Sequence, residues 1–213
     1  MNRKGLKCLM IVSCFVMLAP PILTSPSMAQ DLQGGKTQIK AASGNSNSQP
    51  NVSIQPLLTF SDHAVIAGGG STLIRTDEGV YMSLHAFGLT PDTVATVWWA
   101  FFNKPKKCAT SPCSVADLSN ADAQPSLVPA TGRIVGADGT ADFGAFKAVG
   151  DATDAVFGPG LLNSQKAEIH LAVRTHGRAL LENAELLRHQ LTQFNGGCPP
   201  NTCSNLQGSI HQP

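Results

Sequence analysis

The run Val94–Phe102, VATVWWAFF, is apolar at every position except Thr96. Successive strand residues point to opposite faces, so a stretch that is apolar on both parities must be covered on both sides. Such a segment belongs at the centre of a sheet. Trp98 and Trp99 are adjacent and therefore point in opposite directions. One belongs to the main core, and the other must be roofed by a loop or help to form a surface pocket.

Most of the remaining chain alternates short apolar runs with turn residues, the pattern of an antiparallel β protein. Ser71–Arg75 and Val80–Phe87 flank the turn TDEG, predicting a hairpin in which Val80, Met82, Leu84 and Ala86 face the core. Gly132–Val135 and Thr140–Val149 predict a second hairpin around GADG. Ala167–Thr175 reads as a strand with Ile169, Leu171 and Val173 inward, and Leu206–His211 as a closing strand. Ala179–Gln190 is the exception, because Leu180, Leu181, Ala184, Leu187 and Leu191 recur at helical spacing. The expectation is an all-β fold, a two-sheet antiparallel β-sandwich of immunoglobulin-like or jelly-roll kind, with one short helix near 179–190.

The N-terminus carries Arg3, Lys4 and Lys7, then an apolar stretch and the small-residue site Ser27-Met28-Ala29. This reads as a signal peptide over 1–29 that is cleaved before Gln30. Residues 30–55, rich in Gly, Ser, Asn and Gln, read as a disordered linker, and 56–213 as a single domain. The chain holds 15 Lys and Arg against 14 Asp and Glu; loss of the three basic signal residues leaves 12 against 14, a net −2. That balance offers no electrostatic attraction for nucleic acid or an anionic membrane, and no membrane-spanning segment remains after cleavage.

Four cysteines follow the signal as two matched pairs, in CATSPC and CPPNTC. An exported domain oxidises its thiols, so these are read as structural disulfides in a secreted protein, extracellular or periplasmic. Four cysteines allow three connectivities. Proximity and proline turns favour Cys108–Cys113 and Cys198–Cys203, whereas loop entropy favours a long crosslink.

The stretches GLTPDTVATVWWAFFNKPKKC, GADGTADFGA, FGPGLLNSQKAEIHLAVRTHG and FNGGCPPNTCSNLQGSIHQP together resemble a family of uncharacterised exported, mostly bacterial proteins. The resemblance covers Thr72–Pro213. It implies a secreted, cysteine-stapled β domain and brings no activity with it.

Candidate chemistry centres on histidines. His85, His170, His176 and His211 fall on the non-core parity of their strands, and Glu168 and Arg174 share a face with His170 and His176. Same-face neighbours are about 6.5 to 7 Å apart along a strand, so Glu168 and His170 can reach one ion. His170 and His176 are too far apart to chelate together without a bend. The simplest reading makes all of these solvent-facing or loop-pinning groups, with no catalytic residue, metal ligand or cofactor assigned. The competing reading is a metal-dependent or hydrolytic enzyme, with His170, Glu168, Arg174, His176 and His211 as catalytic candidates. In that case a transition metal would be held by His85, His170, Glu168 or His211. Arg174 is expected to pair with Asp142 or Asp151 across strands, and Gly68-Gly69-Gly70 to be a flexible entry to the first strand. Asp117, Asp122, Asp138, Asp142, Asp151 and Asp154 read as turn caps. With no G-x-S-x-G, H-E-x-x-H or calcium-loop motif present, the leading expectation is a non-catalytic binding or envelope-associated module. Its ligand is a small molecule, a glycan or a protein, and its recognition surface uses whichever of Trp98 and Trp99 is unburied.

Overall fold

The computed structural model describes residues 50–199 and 202–213, all within one unit. The proposed signal peptide, and the linker as far as residue 49, lie outside the described residues. Eight strands follow in order: β1 (Asn51–Thr59), β2 (Val65–Arg75), β3 (Gly79–Ala86), β4 (Thr93–Phe102), β5 (Pro125–Ile134), β6 (Ala141–Ala148), β7 (Glu168–Arg178) and β8 (Ser204–His211). One helix, α1 (Ala184–Thr192), precedes β8.

The all-β antiparallel expectation holds. The strands form one hydrogen-bonded sheet in the order β5-β4-β7-β8-β1-β2-β3-β6 rather than two separate sheets. Its end strands, β5 and β6, come against each other, so the sheet curls into a nearly closed barrel. The predicted second hairpin is corrected accordingly. Its tip does turn, with Gly136 N–H donating to Thr140 O (3.0 Å). Its arms, however, pair outward, β5 with β4 and β6 with β3.

The first hairpin forms in the expected register, with Arg75 opposite Val80 and Leu73 opposite Met82. The glycines at 68–70 belong to β2 rather than to a flexible entry. Asn51–Arg75 pairing likewise places β1 inside the stretch expected to be linker, so the folded region begins before Pro56. The helix starts at Ala184, where the Asn183 side chain accepts from Leu186 N–H (3.0 Å); residues 179–183 are non-helical despite their leucines, with a turn closed by Asn183 N–H donating to Leu180 O (3.1 Å).

Both faces of β4 are covered. Val97, Trp99 and Phe101 join Leu73, Leu84, Ile169 and Leu171 in the barrel interior. Trp98, Ala100 and Phe102 form a second cluster outside the sheet with Cys113, Ala123 and Leu127. The loop 103–124 and α1 roof this outer cluster. β1 and β8, by contrast, pair only at Leu58–Gly208 and Thr59–Gln207, which leaves a narrow seam between β5-β4-β7-β8 and β1-β2-β3-β6.

Candidate functional site

The roof over β4 and β7 is pinned by a few polar contacts. Cys108 and Cys113 are disulfide-bonded, with Cα atoms 5.3 Å apart. Asp117 closes the next turn by accepting from Ala109 N–H, Ser114 N–H and Ser114 Oγ at 2.8, 2.8 and 2.9 Å. These donors, the Ala109 amide foremost, hold its carboxyl below the usual carboxylate range. From beneath, the buried Glu168 Oε1 accepts from Cys113 N–H (2.7 Å) and lies 2.7 Å from His170 Nε2. Burial, the largest single influence, pushes the Glu168 carboxyl up, but the hydrogen bonds from His170 and Cys113, joined by the His170 charge and Gln212, together leave it below its ordinary value. The His170 ring packs on Phe102 with centroids 5.0 Å apart.

A cleft of about 1100 Å³ opens beside this loop, lined by Lys104, Lys106, Lys107, Lys166, Glu168 and Gln212 among others. Its one carboxylate side chain is already engaged by His170 and Cys113, so the cleft carries an excess of ammonium groups. A smaller groove of about 410 Å³ lies on the other side of the loop, between Pro112–Val115 and the Phe60–His63 turn, with His170 at its floor.

A second network lies further along the outer face of β7. Trp98 Nε1–H donates to Thr96 Oγ1 (2.7 Å), which is 2.8 Å from His176 Nε2, and His176 Nδ1 is 2.9 Å from Gly196 O. A carbonyl only accepts, so Nδ1 carries the proton and Nε2 accepts from Thr96. Burial lowers the pKa of His176 and keeps the ring neutral. Arg174 does not pair with Asp142 or Asp151, as its neighbourhood in sequence suggested. Its guanidinium donates to Phe194 O (2.7 Å), Asn205 Oδ1 (3.0 Å) and Asn195 Oδ1 (3.2 Å) and stacks 4.1 Å from the Phe194 ring centroid. Asp151 instead binds Lys147 (2.9 Å), and Asp142 binds His85 (2.7 Å).

The third network is inside the barrel, at the seam. His211 was expected on the outer parity and lies inside, fully buried. The cause is a bulge. Asn205 opposes Arg174 and Gln207 opposes Val173, so Leu206 is an extra residue, and every side chain after it changes face. His211 Nδ1 is 2.7 Å from Ser53 Oγ and Nε2 is 2.9 Å from Ser71 Oγ, while Ser71 donates to Ser209 Oγ (2.7 Å). Burial foremost, then the Arg75 charge, lowers the His211 pKa to about 4. Arg75, also buried, donates to the carbonyls of Ser164 (2.5 Å), Ala167 (2.8 Å), His211 (2.9 Å) and Gln212 (3.3 Å).

The candidate residues are thus distributed over four places. Glu168 and His170 meet beneath the stapled loop, Arg174 and His176 share the second network, His211 is interior, and His85 sits on the exposed face of β3. Neither tryptophan is free to bind a ligand: Trp99 is 0% and Trp98 2% exposed, which corrects their assignment as a recognition surface. Ser53, Ser71, Ser209 and Arg75 escaped the sequence reading. Ser71 and Arg75 did carry a signal, being polar residues on the same parity as the core residue Leu73.

Among the described residues, one group of side chains has metal-ligating atoms within 4.8 Å of one another: His176, Cys198 and Cys203. Here the two cysteines are joined as a disulfide, with Cα atoms 5.8 Å apart. No helix among the described residues is long and apolar enough to cross a membrane. Comparison with family models, curated proteins and solved structures finds no match.

Proposed function

We propose that this is an exported, non-catalytic binding module whose cleft beside the Cys108–Cys113 loop takes an anionic ligand, such as a carboxylate- or phosphate-bearing small molecule or glycan. The observation that carries this reading is the cleft lined by four lysines with its one carboxylate side chain, Glu168, already engaged. The lysine-lined wall is ordered before any ligand arrives. The disulfide and Asp117 hold its shape, and Asn120 Nδ2 donates to Lys107 O (2.8 Å). Preordering of this kind reduces the entropy lost on association. Without residues 1–29 the chain carries 12 Lys and Arg against 14 Asp and Glu, and a local cationic cleft on such a chain selects small anions over extended polyanions, because the rest of the surface gives a long polymer no attraction. Dispersal of the titratable groups favours binding over catalysis, since Glu168 and His170 bond to each other and to the Cys113 amide while His85, His176 and His211 lie in separate networks.

The test is calorimetric titration of the purified chain with tripolyphosphate at low and at physiological salt. Binding should weaken with salt, and Lys106→Ala/Lys107→Ala should reduce it about fivefold, from two exposed charge contacts of about 0.5 kcal/mol each. Equal binding by parent and double variant, or none by the parent, would exclude the cleft as the site.

A further inference from the structure

The second network contains a site of different chemistry, independent of the lysine-lined cleft. We propose that reduction of Cys198–Cys203 converts this corner into a three-ligand site for a thiophilic cation, with zinc as its reference ion, held by both thiolates and His176 Nδ1.

One edge of such a site is already in place, and breaking the S–S bond lets the two sulfurs separate to about 3.8 Å, as two zinc-bound thiolates require. Zinc binds thiolate sulfur at about 2.3 Å and imidazole nitrogen at about 2.0–2.1 Å in tetrahedral sites, which places a bound S and N about 3.6 Å apart. Cys203 Sγ lies 3.5 Å from His176 Nδ1. Gly196 O faces the same point, 3.7 Å from Cys203 Sγ and 3.8 Å from Cys198 Sγ. The far side of the imidazole is built as metal-binding histidines require, with the other ring nitrogen hydrogen-bonded to a fixed partner. Here that partner is Thr96 Oγ1, itself held by the buried Trp98 indole. The ring is neutral, as a ligand must be.

Much of the frame does not depend on the disulfide. Arg174 holds Phe194 O and Asn195, and Gln190 Nε2 donates to the carbonyls of His176 (3.1 Å) and Arg178 (2.9 Å). A side chain at position 196 would run into the carbonyl of His189, so the absence of one lets this loop sit against α1. With Cys198 N–H bonded to Asn195 O and Cys203 directly before β8, both cysteines remain attached to this frame when the S–S bond opens.

The chemistry balances in two steps. A thiol or phosphine reductant supplies two electrons and, with two protons, turns the disulfide into two thiols while it is itself oxidised. The cation then displaces both thiol protons. The His176 proton moves from Nδ1 to Nε2, where Thr96 Oγ1 accepts it, freeing the Nδ1 lone pair. Reoxidation of the sulfurs expels the cation, so the disulfide and the metal exclude each other.

Cobalt(II), whose thiolate charge-transfer absorption reports sulfur ligation, is the probe. The purified chain, reduced with a phosphine and freed of it without air, should bind one cobalt with that absorption and release it to zinc; the oxidised chain should not. Reduction also frees Cys108 and Cys113, so Cys198→Ser/Cys203→Ser is the control and should abolish the band. His176→Gln should weaken binding at least tenfold, and where that variant does not fold, Thr96→Val should weaken it by tenfold or more. Nitrogen-15 shifts of the His176 ring in the zinc form should show Nδ1 ligated. The proposal fails if the reduced chain gives no thiolate band, if the cysteine control keeps it, or if zinc leaves the His176 ring unchanged.

Discussion

The two halves of the sheet on either side of the seam have similar interiors and opposite exteriors. Outside β4 and β7 lie Trp98, Phe102 and Phe194 under a stapled loop and α1, with Trp98 and Phe194 in edge contact at 5.0 Å. Outside β1, β2, β3 and β6 nothing lies over the sheet among the described residues. Val52, Ile74, Tyr81 and Phe146 line up there across four paired strands, and Ile54 is 75% exposed and Phe146 43%. Their neighbours are small or polar, including Gly70, Thr72, Ser83 and Gly144. A sheet needs one apolar face to fold; a second buried face is added only where the chain supplies a cover. The covered half therefore holds two polar networks on its outer face, because polar groups confined under a roof must find partners, while the outer face of the bare half pairs its rings with each other, Tyr81 and Phe146 at 4.3 Å.

The largest effect should separate the halves directly. Trp98→Ala should destabilise the chain by about 3–5 kcal/mol, as for other buried aromatic truncations. Phe146→Ala, of similar chemistry on the bare side, should lose about 1 kcal/mol or less. Denaturant melts of the two variants make the comparison, and equal losses would mean that the outer cluster is not a second core.

A smaller effect concerns the seam that joins the halves. His211 is neutral in the fold with a pKa of about 4, against about 6.5 in an unfolded chain. The unfolded state therefore takes up the proton first as pH falls. The stability contributed by neutral His211 is complete above about pH 6.5 and is lost progressively between there and pH 4, by about 3 kcal/mol in all. The neutral His176 ring acts in the same direction. His211→Asn should flatten this part of the stability–pH curve; an unchanged slope would assign acid sensitivity to other groups.

The smallest of the three effects tests the roof. Replacing Cys108 and Cys113 by Ser should lower stability by about 2 kcal/mol, the loop-entropy value for a six-residue ring. Hydrogen exchange should rise in residues 103–120 and stay constant in β2 and β3. Faster exchange in β2 and β3 would mean that the staple supports both halves.

Much of the fold is legible residue by residue. Val94–Phe102 announces a strand covered on both sides, TDEG sets the β2–β3 register, and the short cysteine spacing anticipates the local pairs. Of the six aspartates read as turn caps, Asp117, Asp138 and Asp151 accept from amides of their own turns, Asp138 Oδ1 from Thr140 N–H and Oγ1 at 3.1 and 2.9 Å, whereas Asp142 lies in β6 bonded to His85 and Asp154 binds Lys147. The candidate site was less legible. Glu168 and His170 meet because they are same-face neighbours on one strand, which alternation alone reveals. Lys166 and Lys106 share a cleft only because the loop 103–124 folds back over β4 and β7.

Alternation and turn chemistry are local properties, so the order of residues alone determined that the chain makes antiparallel strands and where most of them lie; cysteine spacing favoured local pairs, and the tertiary structure decided that pairing. Tertiary structure decided which histidines meet and which are buried. A single extra residue at Leu206 turned His211 inward, and the 194–197 loop buried His176, which strand parity had placed outside. Such outcomes depend on contacts between segments far apart in the chain, where one bulge or one folded-back loop reverses what parity predicts.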